Sequence, residues 1–88
     1  MTPLDTLDKY MSKIPEWYLD GDYWKVDHYL SDNNDTFECH SWIDRRLEKD
    51  GSIHTGYSEL EGGYDEGQCE STTHDSVDQM IQAEFIDP

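Results

Sequence analysis

Hydrophobic residues near the start of the chain recur at helical spacing. They lie three or four residues apart and therefore share one side of an α-helix; they are Leu4, Leu7, Met11 and Ile14. Thr2 suits the N-cap position and Pro3 suits the first helical turn. Pro15 disfavours helical backbone at the residue before it. The pattern predicts a helix that begins at Pro3 and ends at about Ile14.

Apolar and polar residues then alternate, which is the pattern of half-buried β-strands. The alternation covers three segments, residues 23–31, 36–47 and 52–60. Asp and Asn residues at 32–35 and the pair Asp50-Gly51 favour tight turns between these segments. The three segments therefore predict an antiparallel meander.

The remaining segments carry weaker patterns. Residues 16–22 form an aromatic and acidic connector, and residues 61–73 form a Gly-rich acidic loop. A last helix follows, with Thr73 or Asp75 as its cap. The order α-β-β-β-α predicts one domain, residues 1–88, of the α+β class. In it, two helices pack on one face of a three-stranded antiparallel sheet.

Charge changes this picture more than any motif does. The 88 residues include 21 Asp and Glu against 6 Lys and Arg, which gives a formal net charge of -15. All 6 basic residues precede Asp50, whereas residues 51–88 contain 9 acidic residues and neither Lys nor Arg. Like charges on a folded surface repel one another, so the folded state carries an electrostatic cost. A field of this sign favours a cationic partner.

Composition also excludes several classes of function. The chain has no basic patch for DNA, RNA or anionic lipid, and no apolar run as long as a membrane span. The first twenty residues lack the basic start and apolar stretch of a secretory signal. We therefore expect a cytoplasmic protein in which Cys39 and Cys69 are reduced. An aromatic content of 12% favours a folded domain over disorder.

Acidic side chains on the predicted sheet and its loops are the candidate partner-binding residues. Alternate residues on a strand point to the same side, about 6.6–6.8 Å apart. A regular array of carboxylates can therefore present charge much as a phosphate backbone does. Trp42 joins the set because an indole can stack on a partner's arginine. The candidates are Asp20, Asp22, Asp27, Glu38, Trp42, Asp44, Glu59, Glu61, Asp65, Glu66 and Glu70.

Metal binding and catalysis have weaker signals. The Cys and His residues lack the paired spacing of a zinc site, and the acidic turns do not match a calcium-binding loop. There is no nucleophile elbow and no phosphate-binding loop. We therefore expect no metal, no cofactor and no enzymatic activity. The zinc-type residues considered are Cys39, His40, His54, Cys69 and His74.

Small size, acidity and a mixed α/β pattern together resemble those of phage-encoded nucleic-acid mimics. That group includes anti-CRISPR proteins, anti-restriction proteins and the inhibitor of uracil-DNA glycosylase. The resemblance is one of class and involves no shared motif, so it assigns no role to any residue. It implies an inhibitor that occupies the nucleic-acid cleft of a bacterial defence or repair protein. The 6 basic residues depart from the most acidic mimics and suggest one face that is not phosphate-like.

These observations lead to two functional hypotheses. The first is a monomeric or dimeric inhibitor that competes with nucleic acid for the basic cleft of a bacterial defence protein, above all a CRISPR effector. The second is a non-enzymatic adaptor that binds a protein partner through the aromatic segment Trp17–Trp24. A third reading, in which the charge serves only solubility or salt adaptation, stays open from sequence alone.

Overall fold

The computed structural model describes residues 1–30, 38–61, 64–65 and 70–88, except for the side chains of residues 29, 30, 38, 60, 61, 64 and 65. Helix α1 spans Pro3–Met11 and begins with a capping box. The Thr2 hydroxyl accepts a hydrogen bond from the Asp5 amide, and the Asp5 carboxylate accepts one from the Thr2 amide. The predicted end at Ile14 is three residues too late. Pro15 disfavours helical backbone at the residue before it, and tighter turns replace the last helical turn.

Six strands in the described ranges form one antiparallel sheet. They are β1 (Tyr18–Asp20), β2 (Tyr23–Leu30), β3 (Glu38–Asp44), β4 (Ile53–Glu61), β5 (Tyr64–Asp65) and β6 (Glu70–His74). Strands β1 to β4 are adjacent in chain order, and β5 and β6 both pair with the remaining edge of β4. The sheet is therefore five strands wide. The α+β class is confirmed, whereas the prediction of three strands is wrong.

Strands β1 and β6, which the sequence did not indicate, are mostly exposed and show no alternation of buried and exposed residues. Strand β1 falls in the predicted connector and pairs with β2 across a two-residue turn, where Gly21 has a φ of 60°. Strand β6 falls largely within the predicted loop 61–73 and pairs with the first half of β4. Its Ser and Thr residues suit a strand but supply no apolar alternation. Residues 62–63 and 66–69 of that loop lie outside the described residues.

Strand register separates the sheet into two faces. Residues paired directly across neighbouring strands share a face. One row holds Trp24, Ile43 and Thr55, and we call this side the core face. The next row holds Lys25, Trp42 and Gly56, and we call this side the polar face. A register shift between Asp27 and Tyr29 interrupts the alternation of β2.

Both helices contribute to one apolar core with the sheet. Leu7, Ile53 and Met80 have no exposed surface, and burying a side chain of this size stabilises the fold by about 1.5–3 kcal/mol. Cys39 is also buried. No helix in the described ranges is long and apolar enough to cross a membrane. The core residues are Leu7, Met11, Trp24, Ile43, Ile53, Val77, Met80 and Ile81.

Helix α2 spans Val77–Ile81 and continues into a π-helical segment, Gln82–Ile86. Its cap is Ser76, whose hydroxyl accepts a hydrogen bond from the Gln79 amide at 3.1 Å. The predicted caps, Thr73 and Asp75, are therefore wrong. Thr73 belongs to β6 and bonds across the sheet, and Asp75 lies one residue before the cap.

Candidate functional site

The polar face carries several of the predicted acidic residues, but each has a partner within the chain. Asp20 on β1 accepts a hydrogen bond from the Lys25 ammonium group on β2 at 2.9 Å. This bond, together with the positive charge, lowers the pKa of Asp20. The carboxylate remains largely exposed, so the pair is a surface salt bridge of the kind that contributes little to stability.

Asp44 at the end of β3 has a stronger connection, to Arg46. The guanidinium group donates to both carboxylate oxygens at 3.0 Å, and the Arg46 amide donates to one of them at 2.9 Å. Partial burial alone raises the pKa of Asp44, but the bonds from Arg46 outweigh it and the pKa is lowered. Arg46 also donates to the Tyr23 hydroxyl and lies 5.2 Å from that ring's centroid. Asp22, which precedes Tyr23 in the chain, has its Oδ2 atom 4.0 Å from Nε of Arg46.

Asp27 on β2 is held by two neighbours on the polar face. Its Oδ1 atom lies 2.5 Å from Nδ1 of His40 and accepts a hydrogen bond from the Tyr18 hydroxyl at 2.9 Å. His40 is 9% exposed, so this carboxylate sits beside a buried imidazole. Asp27 is therefore part of a cross-strand network that ties β1, β2 and β3 together.

Trp42 is packed onto the sheet, although the sequence suggested an available stacking surface. Its indole lies over Gly56, where an added Cβ would overlap the ring. The indole N–H donates to the Ser58 hydroxyl at 3.2 Å, and the Tyr23 ring meets it edge-on at 5.8 Å. The indole is consequently packed against β4 and Tyr23.

Glu59 lies in the opposite register from the other sheet acids. It pairs with Cys39 in the core-face row and accepts a hydrogen bond from the Tyr57 hydroxyl at 3.1 Å. Hydrogen bonding to Cys39, burial and the bond to Glu59 all raise the pKa of Tyr57. Glu59 therefore does not extend the array on the polar face.

The other predicted acids are dispersed. Glu38, Glu61 and Asp65 lie on β3, β4 and β5, with side chains outside the described set, and Glu66 lies outside the described residues altogether. Glu70 begins β6 and is exposed. The structure thus gathers Asp20, Asp22, Asp27, Trp42 and Asp44 on or beside the polar face, and separates Glu59 and Glu70 from them.

Sequence reasoning missed a group of exposed acids next to the helix starts. Asp50, Asp75 and Asp78 line an open cleft of about 320 Å³, together with Met1, Pro3 and Thr6. The Ser52 hydroxyl and amide donate to Asp50 at 2.7 and 3.0 Å, which lowers its pKa. The lack of Lys and Arg after position 50 was the sequence signal for the excess of acids at Asp75 and Asp78.

The zinc-type residues do not converge where the structure describes them. His54 contacts Glu48 and Thr73, whereas His74 contacts Glu84 at 2.8 Å. No group of three or more His, Cys, Asp or Glu residues within the described ranges has an arrangement that could hold a metal ion. Cys69 lies outside those ranges.

Comparison with protein-family models, curated proteins and solved structures finds no match for this chain.

Proposed function

We propose that this protein is a non-enzymatic inhibitor that binds a basic, nucleic-acid-binding protein of the bacterial cytoplasm and competes with nucleic acid for its cleft. CRISPR effectors are the first class to test, and restriction or repair enzymes are the next. Acidic side chains of the inhibitor would pair with the Lys and Arg residues that otherwise hold phosphates. The inhibitor itself would bind neither nucleic acid nor membrane.

One observation carries the proposal: the most acidic half of the chain has no Lys or Arg of its own, and three of the six basic residues are paired with acids of the other half. Lys25, Arg45 and Arg46 each form an ion pair with an acid from the first half of the chain. Residues 51–88 contribute 9 acids and no Lys or Arg, and they form β4, β5, β6 and the last helix. The negative charge is therefore strongest along one sheet edge and the adjoining helix.

This distribution shifts the proposed contact surface away from the polar face. We infer that both helices cover the core face, and that the partner meets the outer edge of the sheet beside the last helix. The acids proposed for contact are exposed, and none belongs to the cross-strand network of Asp27. We call them the edge acids: Glu70, Asp75, Asp78 and Asp87.

The experiment is competition between this protein and duplex DNA for a guide-loaded CRISPR effector, a restriction endonuclease and a uracil-DNA glycosylase. Neutralising the edge acids together (Glu70→Gln, Asp75→Asn, Asp78→Asn, Asp87→Asn) should weaken binding about fourfold or more, at about 0.2–1 kcal/mol for each lost charge pair. The matched control neutralises four acids with internal partners: Asp20, Asp27, Asp44 and Glu59.

The control should retain most of its affinity, after thermal melts show that both variants are folded. Binding by the native protein should also weaken as salt is raised. Equal losses in both variants would indicate a net-charge effect and reject this surface. Unchanged binding in both variants, or indifference to salt, would reject mimicry.

The second candidate function is an adaptor that binds a protein partner through the aromatic segment Trp17–Trp24. Tyr18 is 40% exposed and Leu19 is 51% exposed on the edge strand β1, which favours this candidate. Trp24 does not belong to that surface, because it is 8% exposed and its indole N–H donates to Asp8. Binding of this kind would survive high salt and be lost in Leu19→Asp, whereas charge mimicry would show the reverse behaviour.

A further inference from the structure

On the outer edge of strand β1, the main-chain N–H and C=O of Leu19 are available to a partner. Within the described part of the chain, β1 pairs with β2 alone, in the register Tyr18–Lys25, Leu19–Trp24 and Asp20–Tyr23. The turn contains two residues, so Asp20–Tyr23 is its closing, hydrogen-bonded pair. Hydrogen-bonded and non-hydrogen-bonded pairs alternate along an antiparallel ladder. The N–H and C=O of Leu19 therefore point away from β2.

The side chains next to Leu19 alternate between an apolar and a polar face of the sheet. Leu19 shares the core face with Trp24, and its side chain is about half exposed. Tyr18 and Asp20 point to the polar face, where their row also holds Lys25 and Tyr23. A strand added outside β1 would therefore place one side chain beside Leu19 and the next two near Tyr18 and Asp20.

Charge complementarity defines what that added strand should contain. Glu16, Asp20 and Asp22 surround the edge, and all three are exposed. Lys25 contacts Asp20 through a surface ion pair, which a stronger arrangement can replace. A second copy of the chain is a poor occupant, because each copy carries a formal net charge of -15.

We propose that the β1 edge binds an extended segment of a partner protein by strand addition, with an apolar residue beside Leu19 and a basic residue on either side of it. Main-chain hydrogen bonds to Leu19 give the affinity, and the alternating side chains give the selectivity for the partner's sequence. The expectation of basic flanking residues comes from the acids around this edge, so neither it nor the main-chain attachment depends on the proposed function.

The test is an NMR titration of the whole protein with the blocked peptide Thr-Thr-Lys-Val-Lys-Thr-Thr. The largest shifts should fall on residues 18–20. Two comparison peptides keep the charge: one is N-methylated at the valine, and the other has the order Lys-Lys-Thr-Thr-Val-Thr-Thr. The N-methylated peptide should bind about tenfold more weakly, the effect of losing one or two main-chain bonds. The reordered peptide keeps those bonds but has no lysine on either side of its valine, so it should also bind more weakly than the first peptide.

Two substitutions at one position provide the matched protein variants. Leu19→Pro removes the outward N–H, and an edge strand tolerates proline where its N–H faces solvent. We expect about a tenfold loss of peptide affinity with this variant. Leu19→Val retains the amide and an aliphatic side chain, so it should bind as the native protein does.

Three outcomes would overturn the inference. They are equal affinity for all three peptides, shifts confined to residues outside β1, and sedimentation showing a dimer that Leu19→Pro dissociates. The last would identify a second copy as the occupant. None of these measurements uses a nucleic-acid-binding protein, so a negative result leaves the DNA competition experiment to decide the proposed function separately.

Discussion

Asp8 on the first helix receives both arms of the Arg45 guanidinium group, from a residue 37 positions later in the chain. Arg45 Nε and Nη2 lie 2.9 and 2.6 Å from the two carboxylate oxygens, and the Trp24 indole N–H donates to the same carboxylate at 2.8 Å. Both side chains of the ion pair are partly buried. This contact attaches α1 to β2 and to the chain just after β3.

Removing the Asp8 carboxylate should therefore destabilise the fold. Asp8→Ala leaves Arg45 and the Trp24 N–H without their acceptor, and we expect the free energy of unfolding to fall by about 2–3 kcal/mol after allowing for partial exposure. Urea denaturation measures this difference. Asp78→Ala, an exposed helix acid, is the control and should change stability by less than about 0.5 kcal/mol. Equal effects of the two variants would contradict this role for Asp8.

The same contact predicts how stability depends on pH. The Arg45 hydrogen bonds lower the pKa of Asp8 from 3.8 despite the opposing effect of burial. A carboxyl group whose pKa is lower in the folded state stabilises the fold above its unfolded pKa and loses that contribution as pH falls through the folded value. Stability measured from pH 5 down to pH 2 should therefore decrease less in Asp8→Asn than in the native protein. Parallel curves for the two proteins would count against this assignment.

Gly56 should tolerate no side chain. A Cβ there would overlap Trp42 and the Glu70 carbonyl oxygen, and crowding of this kind costs about 1–3 kcal/mol or more. Gly56→Ala should lower the melting temperature and alter tryptophan fluorescence. The penalty should be smaller when Gly56→Ala is combined with Trp42→Ala, which removes one of the two obstacles. An equal penalty in both backgrounds would show that the indole is not the obstacle.

The cap of the last helix gives a further test. Ser76→Ala removes the acceptor for the Gln79 amide and should cost about 1 kcal/mol. Ser71→Ala, on the exposed strand β6, is the matched control and should have little effect. Chemical denaturation of both variants checks the prediction. A larger effect of Ser71→Ala would mean that strand pairing at the edge matters more than the cap.

The sequence predicted the elements whose residues alternate between a buried and an exposed environment. Trp24, Ile43 and Ile53 were identifiable as inward residues because their strands have one apolar face. Strands β1 and β6 were not, because their described residues are mostly exposed and burial leaves no periodic signal in such segments.

The candidate site was less accessible to sequence reasoning than the fold. Asp20, Asp27 and Asp44 were correctly expected near the sheet, but a one-dimensional pattern does not reveal that Lys25, His40 and Arg46 lie beside them. The periodicity also placed Glu59 on a strand, but it did not show that Glu59 pairs with Cys39 in the core-face row. Pairing between distant residues depends on strand register, which single-sequence patterns specify poorly.

The core draws Leu7 from the first helix and Met80 from the last, and this has a consequence for biosynthesis. The apolar side of β2, β3 and β4 cannot be fully covered until the ribosome has released the segment that contains Met80. We therefore expect Trp24, Ile43 and Ile53 to remain partly uncovered on the nascent chain until the last helix emerges and completes the native packing.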